Sequence, residues 1–367
     1  MKRFAICSIL SSLICFPGLS QGETENIFLI TMDGFRWEEM FRGASDLLMN
    51  DPDYTPDTDS LTMHNLFGGS TLEERREKLM PWMWTTLAKQ GQLYGNRDKG
   101  NIVRCTNIRF FSYPGYNEIL TGFSDPYIDS NAKKYNENIT VLEWLNYQPS
   151  YRGSVAAFCS WDVFPYIIND QRSGIPVNAG FRKAKAPLSD KEVFLNELQD
   201  EIPSPWASVR LDAFTHHYMM EYIKKHRPNV VYISYGETDD FAHDGEYDHY
   251  LKSAHQTDKW LRSLWEYLQE DPHYSGKTTL LITTDHGRGN NPKEEWKSHG
   301  NTYKGSEYIW MGVIGPDTPS LGEVTRKERI FQNQFAATGA KFLGLTYYNE
   351  NNEVGEVIKS MFRSIED

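Results

Sequence analysis

Five apolar, β-branched runs constrain this chain more than any other feature, because four of them stop at an acid or a histidine and the fifth at a proline. "NIFLITMDGF" stops at Asp33, "SVAAFCSWD" at Asp162 and "NVVYISYGETDD" at Asp239. "TTLLITTDHG" stops at His286 and "YIWMGVIGP" at Pro316. Continuous runs of this length, without alternation, read as parallel strands buried on both faces. Amphipathic helical patterns lie between or beside them: "MPWMWTTLAKQG", "WASVRLDAFTHHYMMEYIKKHRPN", "YLKSAHQTDKWLRSLWEYLQ" and "FQNQFAATGAKFLGL". Alternating β and α elements predict an α/β fold, a doubly wound and mostly parallel central sheet with helices on both faces. Ligands of such folds gather at the carboxyl ends of the strands, which is where the acidic residues stand.

Residues 44–76 break the rhythm. "DLLMNDPDYTPDTDSLTMHNLFGGS" is rich in Asp, Pro, Thr and Ser and reads as an inserted loop or cap. Its Asp spacing lacks the Gly and distal Glu of an EF-hand, so a solvated acidic loop is the better reading than a calcium site. There is no internal repeat and no linker. Residues 21–367 are expected to form a single catalytic domain. Before it, "MKRFAICSILSSLICFPGLSQG" has a basic start, an apolar centre and small residues near Ser20, the pattern of a secretory signal peptide over residues 1–20. It is too short to span a bilayer as a stable helix, and no later segment is long and apolar enough. The expected location is periplasmic or secreted. Of the four cysteines, Cys105 and Cys159 lie outside the signal and could pair in an oxidising compartment. The net charge of -12 argues against a nucleic-acid duplex as partner, but not against a small anionic substrate held by metal ions. Oligomeric state is not readable from the sequence.

Six residues at or near the predicted strand ends are metal-ligand types: Asp33, Asp239 and His243 in D-x-x-x-H, Asp285 and His286 side by side, and His299 in "WKSHG". Taken singly, each has a plain alternative: Asp33-Gly34 as a turn, an Asp as a helix cap, a His as an exposed loop residue. One sheet would bring them together. Three carboxylates and three imidazoles suffice for two zinc-like ions with open positions for substrate oxygens. "FSYPGYNEILTG" adds a nucleophile candidate, Ser112, at the start of a short helix that Gly122 closes. There, free backbone N–H groups favour an anionic ligand, and metal coordination would activate the hydroxyl.

In this order, Asp33, Ser112 within S-x-P-x-x-x-x-x-L-T-G, Asp239-x-x-x-His243, Asp285-His286 and His299 resemble the alkaline phosphatase superfamily. The nearest likeness is to its type I phosphodiesterase/nucleotide pyrophosphatase branch, over Asn26 to about His299. The resemblance implies a metal-dependent hydrolase of small phosphate esters with two divalent metal ions, of which zinc is expected. One ion would be held by Asp239, His243 and His299, the other by Asp33, Asp285 and His286, with Ser112 also a ligand and the attacking group. It further implies an Asn that binds a non-bridging phosphoryl oxygen: Asn131 in "YIDSN", or Asn117. Sulfatases share the frame but carry Arg where Tyr116 stands, which argues against a sulfate-ester hydrolase. A phosphoglycerate mutase-like phosphotransferase keeps a similar metal site, but its substrates are cytosolic. The Lys and Arg with which some superfamily phosphatases grip a monoester are missing from "CSWDVF", so a diester is favoured. Tyr116, Trp161 and Phe241 read equally as an aromatic wall for an organic ester group or as core aromatics, and Arg288 either offers a positive charge to the substrate or caps a strand or pairs with a surface carboxylate.

Overall fold

The structure, a computed structural model, describes residues 22–363. The predicted signal segment lies outside the described residues. The strands are β1 (Asn26–Met32), β2 (Gln92–Tyr94), β3 (Asn101–Arg104), β4 (Val155–Cys159), β5 (Val177–Ala179), β6 (Val230–Tyr235), β7 (Thr278–Thr283), β8 (Tyr308–Ile309), β9 (Met311–Ile314), β10 (Gly322–Glu323) and β11 (Glu328–Phe331). Eight of them form one sheet in the order β10-β2-β9-β7-β1-β6-β4-β5, and β11-β3-β8 form a second. The expected mixed α/β fold, with a large and mostly parallel central sheet, is what the chain adopts.

The centre of the sheet explains the apolar runs. β1 lies between β6 and β7 and is parallel to both, with Leu29 opposite Tyr232 and Leu281. Every residue of β1, β6 and β7 is buried. Side chains alternate between faces: Phe28 and Ile30 join one core cluster, Ile27 and Leu29 the other. Burial on both faces is why these strands show no polar alternation.

Three expectations need correction. The run "YIWMGVIGP" is not one parallel strand. Tyr308–Ile309 pairs with β3 in the small sheet, and β9 runs antiparallel to β7 and β2. The connection from β7 carries only the short Lys293–Lys297 turn, not a crossover helix, so the chain returns in the opposite direction. The pattern from Trp206 becomes helical only at Asp212, running to His226. Before it, Val209 bridges to Trp161, and the Asp212 carboxylate accepts from Gly236 N (2.7 Å) and Glu237 N (3.1 Å). Residues 44–76 are more helical than loop-like, with helices at Asp46–Met49, Ser60–Phe67 and Leu72–Leu79. Two of the polar residues that suggested a loop, Asp59 and Thr71, are helix caps that accept from Thr62 N and Glu74 N.

Cys105 and Cys159 are both free and buried. Among the described residues no helix is long and apolar enough to cross a membrane.

Candidate active site

Parallel neighbours end on the same side of a sheet, so β1, β6 and β7 deliver their following residues to one place. Asp33 follows β1 directly, and its N–H donates to Tyr235 O at the end of β6 (2.9 Å). Asp239 and His243 stand on the helix Glu237–Asp244 after β6, one turn apart and so on one face. Asp285 and His286 follow β7, and His299 comes from the loop beyond. The structure brings all six together in two groups, Asp33/Asp285/His286 and Asp239/His243/His299, with ligand-type atoms within 4.8 Å of one another in each.

The groups adjoin. The His286 and His299 rings stack at 3.8 Å between centroids. Asp239 Oδ1 is 3.8 Å from both His286 Nε2 and His299 Nε2, while Oδ2 is 3.2 Å from His243 Nε2. His286 Nδ1 lies 3.0 Å from Gly287 O, and His299 Nδ1 lies 3.1 Å from Phe110 O. Each Nδ1 therefore carries the proton, and each Nε2 lone pair is aimed into the site. Gly34 separates Asp33 from Asp239. Its φ is +57°, and a Cβ there would fall 2.6 Å from Asp239 Oδ1, so only glycine fits.

The electrostatics are unbalanced without a cation. Burial, then Asp285 and Asp239, push the Asp33 carboxyl well above its ordinary range. Burial and Asp239 push Asp285 up to about 8. Burial would also raise Asp239, but the Arg288 guanidinium, His243 and His299 outweigh it and hold that carboxyl well below the usual range. Burial lowers His286 well below its ordinary value and His299 to about 4, leaving neutral donor nitrogens. Asp33 Oδ1, Asp285 Oδ2 and His286 Nε2 are buried without a hydrogen-bond partner. Such atoms are costly unless something binds them. Three of them converging, as two carboxylate oxygens and one imidazole, is a donor set that fits a divalent metal ion.

Ser112 is the first residue of the helix Ser112–Thr121 and is buried. Residues three and four further on share its face. Gly115 approaches Asp285 so closely that a Cβ would be 2.5 Å from the Asp285 carbonyl oxygen, and Tyr116 Oη donates to Asp33 Oδ2 at 2.8 Å. The face that carries Ser112 is thus turned to the Asp33/Asp285/His286 group. The approach to Ser112 is held from behind. The buried Glu118 carboxylate accepts from the backbone and side chains of both Thr106 and Asn107, at 2.7–2.8 Å. Asn107 Oδ1 accepts from Arg109 N and Phe110 N, which fixes Phe110 at the unfavourable φ of 54° with its carbonyl facing His299. Glu118, Asn107, Gly34 and Thr238, whose hydroxyl donates to Asp33 O, were not singled out by the sequence reading. The one signal in reach was Glu118, a lone acid amid the apolar residues of "GYNEILTG".

The candidate substrate residues divide. Asn131 Oδ1 accepts from Tyr113 N (3.0 Å), beside Ser112 at the helix start. Its Nδ2 has no protein partner among the described residues. Trp161, half-buried, packs on Tyr116 and Phe164 at the end of β4. Phe241, also half-buried, packs on Trp206 and His249. For three residues the structure favours the alternative to a substrate contact. Asn117 is fully buried, with Nδ2 on Phe123 O and Oδ1 accepting from Asn136 and Asn138. Tyr116 is fully buried against Asp33 and does not wall a substrate. Arg288 is buried with its guanidinium on the Asp239 carboxylate and on the carbonyls of Asp239 and Lys297 (2.9 Å each), so it presents no free charge.

No curated protein matches the sequence. Similar folds occur in the alkaline phosphatase PafA, with TM-score 0.59 and 9% identity over 94% of this chain and 99% of that one. The lipoteichoic acid synthase LtaP from Listeria monocytogenes gives 0.56 and 12% over 90% and 74%. Murine ectonucleotide pyrophosphatase/phosphodiesterase 5 gives 0.51 and 14% over 89% and 97%. At these identities the likeness bears on the fold. The sequence model of the type I phosphodiesterase/nucleotide pyrophosphatase family matches residues 48–311, a span that begins after Asp33 and includes the other five ligand-type residues and Ser112. That match covers well over half of the chain, which therefore belongs to the type I phosphodiesterase/nucleotide pyrophosphatase family, phosphate-ester hydrolases of the alkaline phosphatase superfamily.

Proposed function

We propose that this protein hydrolyses small phosphodiesters through Ser112, with two divalent metal ions, zinc the best fit, held by Asp33/Asp285/His286 and Asp239/His243/His299. The observation that carries the reading is the convergence of three buried, unpartnered donor atoms on the helix face that bears Ser112. Imidazole and carboxylate donors in equal number suit zinc better than magnesium. When bound, the ions supply positive charge to the phosphoryl oxygens and lower the pKa of the serine hydroxyl.

The chain's own groups then have defined tasks. Ser112 Oγ attacks phosphorus in line, the ester oxygen departs, and a phosphoseryl intermediate forms. Water attacks that phosphorus from the side the ester oxygen left, opposite Ser112 Oγ, and Ser112 departs as the hydroxyl with a proton supplied by that water. The Asn131 amide, whose Oδ1 is held by Tyr113 N, would offer its Nδ2 to a non-bridging oxygen of the phosphoryl group. Tyr116 and Gly34 N fix the Asp33 and Asp285 carboxylates by hydrogen bonds of 2.8 and 3.1 Å. A diester is favoured over a monoester because the cations near the site are already engaged: Arg288 on Asp239, and Lys133 on Asp162 at 2.6 Å. The signal segment supports a location outside the cytoplasm.

The test compares methyl 4-nitrophenyl phosphate, 4-nitrophenyl phosphate and 4-nitrophenyl sulfate on zinc-loaded wild type and Ser112→Ala. The diester should be turned over fastest by wild type. Ser112→Ala should lose at least about a thousandfold in kcat, about 4 kcal/mol of barrier, while keeping its zinc. An active Ser112→Ala protein would remove Ser112 as nucleophile, and a faster monoester or sulfate reaction would overturn the substrate assignment.

A further inference from the structure

A cleft of about 790 Å³ opens on the flank of the nucleophile helix. It starts at Tyr113, next to Ser112, and is walled by the loop that runs from Gly122 to Asn138. Asn131 joins it to the reaction site: Ser130 and Ala132, on either side of Asn131, line the cleft, and Asn131 itself bonds Tyr113 N. The wall is built in advance. Asn138 Nδ2 donates to Asp125 Oδ2 (2.7 Å), Asn136 Nδ2 to the buried Asn117 Oδ1 (3.0 Å), and Tyr113 Oη to Lys134 O (2.7 Å). The Lys133–Asp162 pair ties the same loop to the segment after β4. The asparagine that does not face the phosphoryl site, Asn117, thus holds the wall of the space beside it.

The lining has a definite chemistry. Tyr127, 90% exposed, offers an aromatic face to the cleft, and Tyr135, whose ring packs on Tyr166 at 4.7 Å, offers its exposed part. The side-chain carboxylates of Asp129 and Glu137 have no hydrogen-bond or ion-pair partner among the described residues, although Glu137 O accepts from Arg172, and Lys134 is the one cation that lines the cleft beside them. Carboxylates only accept hydrogen bonds, and they repel a further anion. Aromatic faces receive the C–H face of a polyol or an ammonium group.

We infer that this cleft is the subsite for one ester arm of the substrate, and that it takes an arm rich in hydrogen-bond donors, hydroxyl or ammonium, carrying no second negative charge. The inference rests on the diesterase reading of the Ser112 site and narrows it: an arm bearing a further phosphate is disfavoured.

The test uses 4-nitrophenyl phosphodiesters whose second arm is methyl, glyceryl, 2-aminoethyl or 2-phosphoethyl. Their binding is measured by calorimetry to zinc-loaded Ser112→Ala, and their KM and kcat on wild type. The glyceryl or the aminoethyl ester should bind about tenfold tighter than the methyl ester, about 1.4 kcal/mol. The phosphoethyl ester should bind no tighter than methyl. An advantage of the glyceryl arm alone identifies hydroxyl recognition, and of the aminoethyl arm alone ammonium recognition. Combining Tyr127→Ala with Asp129→Asn should abolish the advantage of the glyceryl or aminoethyl arm over methyl. Equal binding of all four arms, tightest binding of the phosphoethyl arm, or an advantage untouched by the double variant overturns the inference. Failure of the diesterase reading is separate: wild type would not turn over the methyl ester, while the binding series would still rank the arms.

Discussion

Arg288→Met isolates the electrostatic logic of the site. In the metal-free protein, the Arg288 guanidinium is the foremost of the groups that hold the Asp239 carboxyl down, ahead of the His243 and His299 imidazoles. The Arg288 side chain is fully buried and that of Asp239 is 13% exposed, so removing the guanidinium strands a nearly buried charge. Breaking a buried pair from one side costs about 3–5 kcal/mol, and the slight exposure favours the lower end, about 3. An unfolding entropy of about 2.1 cal/mol/K per residue makes each kcal/mol worth about 1.3 °C in a chain of this length, so Tm should fall by about 4 °C. With zinc bound, a metal ion balances Asp239, and the loss should shrink below about 1.5 °C. Adding Asp239→Asn to Arg288→Met removes the stranded charge and should recover more than half of the loss in metal-free protein. The pH dependence has a definite sign. The carboxyl of Asp239 is held below its unfolded value, so its contribution to wild-type stability is present above about pH 4 and is lost as pH falls. The gap between variant and wild type should close over the same range. Calorimetric melting of the three proteins, with zinc and with chelator, checks this. An equal loss with and without zinc, or no recovery in the double variant, would refute the reasoning and leave Arg288 as packing.

Two further outcomes follow from the same geometry. Tyr116→Phe deletes the hydroxyl that donates to Asp33 Oδ2, and should weaken zinc at the Asp33/Asp285/His286 group by about 10–100-fold with the fold intact, read by chelator competition. Unchanged affinity would make Tyr116 a core aromatic only. In the metal-free protein Asp285, pushed up to about 8, is protonated at pH 7, so zinc binding should release a proton and strengthen with rising pH until about pH 8. Calorimetry in buffers of different ionisation heat measures that proton, and a buffer-independent heat would count against it.

The ligand-type residues were legible in the sequence for a physical reason. A strand buried on both faces is an unbroken apolar run, so an acid or histidine at its end stands out, and parallel strands all end on one side. Asp33, Asp239, Asp285 and His286 needed nothing more to be found and placed together. The direction of β9 was not legible, because it depends on the connection after β7 and not on the run itself.

Tyr116, Asn117 and Arg288 failed for another reason. The sequence offers Tyr116 as an aromatic wall, Asn117 as the amide the resemblance implies and Arg288 as a positive charge, each on its residue type and its place a few residues from Ser112 or His286. Their partners lie far off in the chain: Tyr116 on Asp33, Arg288 on Asp239, Asn117 on Asn136 and Asn138. A metal ligand must be one of few residue types, whereas a group that orients a ligand need only place a donor at one point, and many residue types can do so. Residue type therefore carries information about the first and almost none about the second. The consequence at this site is that its charge balance lies in the layer the sequence hides. Three acids could each have been ionised or protonated, and it is Arg288 that sets Asp239 apart, leaving Asp33 and Asp285 as the pair whose buried oxygens lack a partner. The two metal groups are then unequal before any ion arrives: one has a guanidinium built in, and the other depends wholly on the ion.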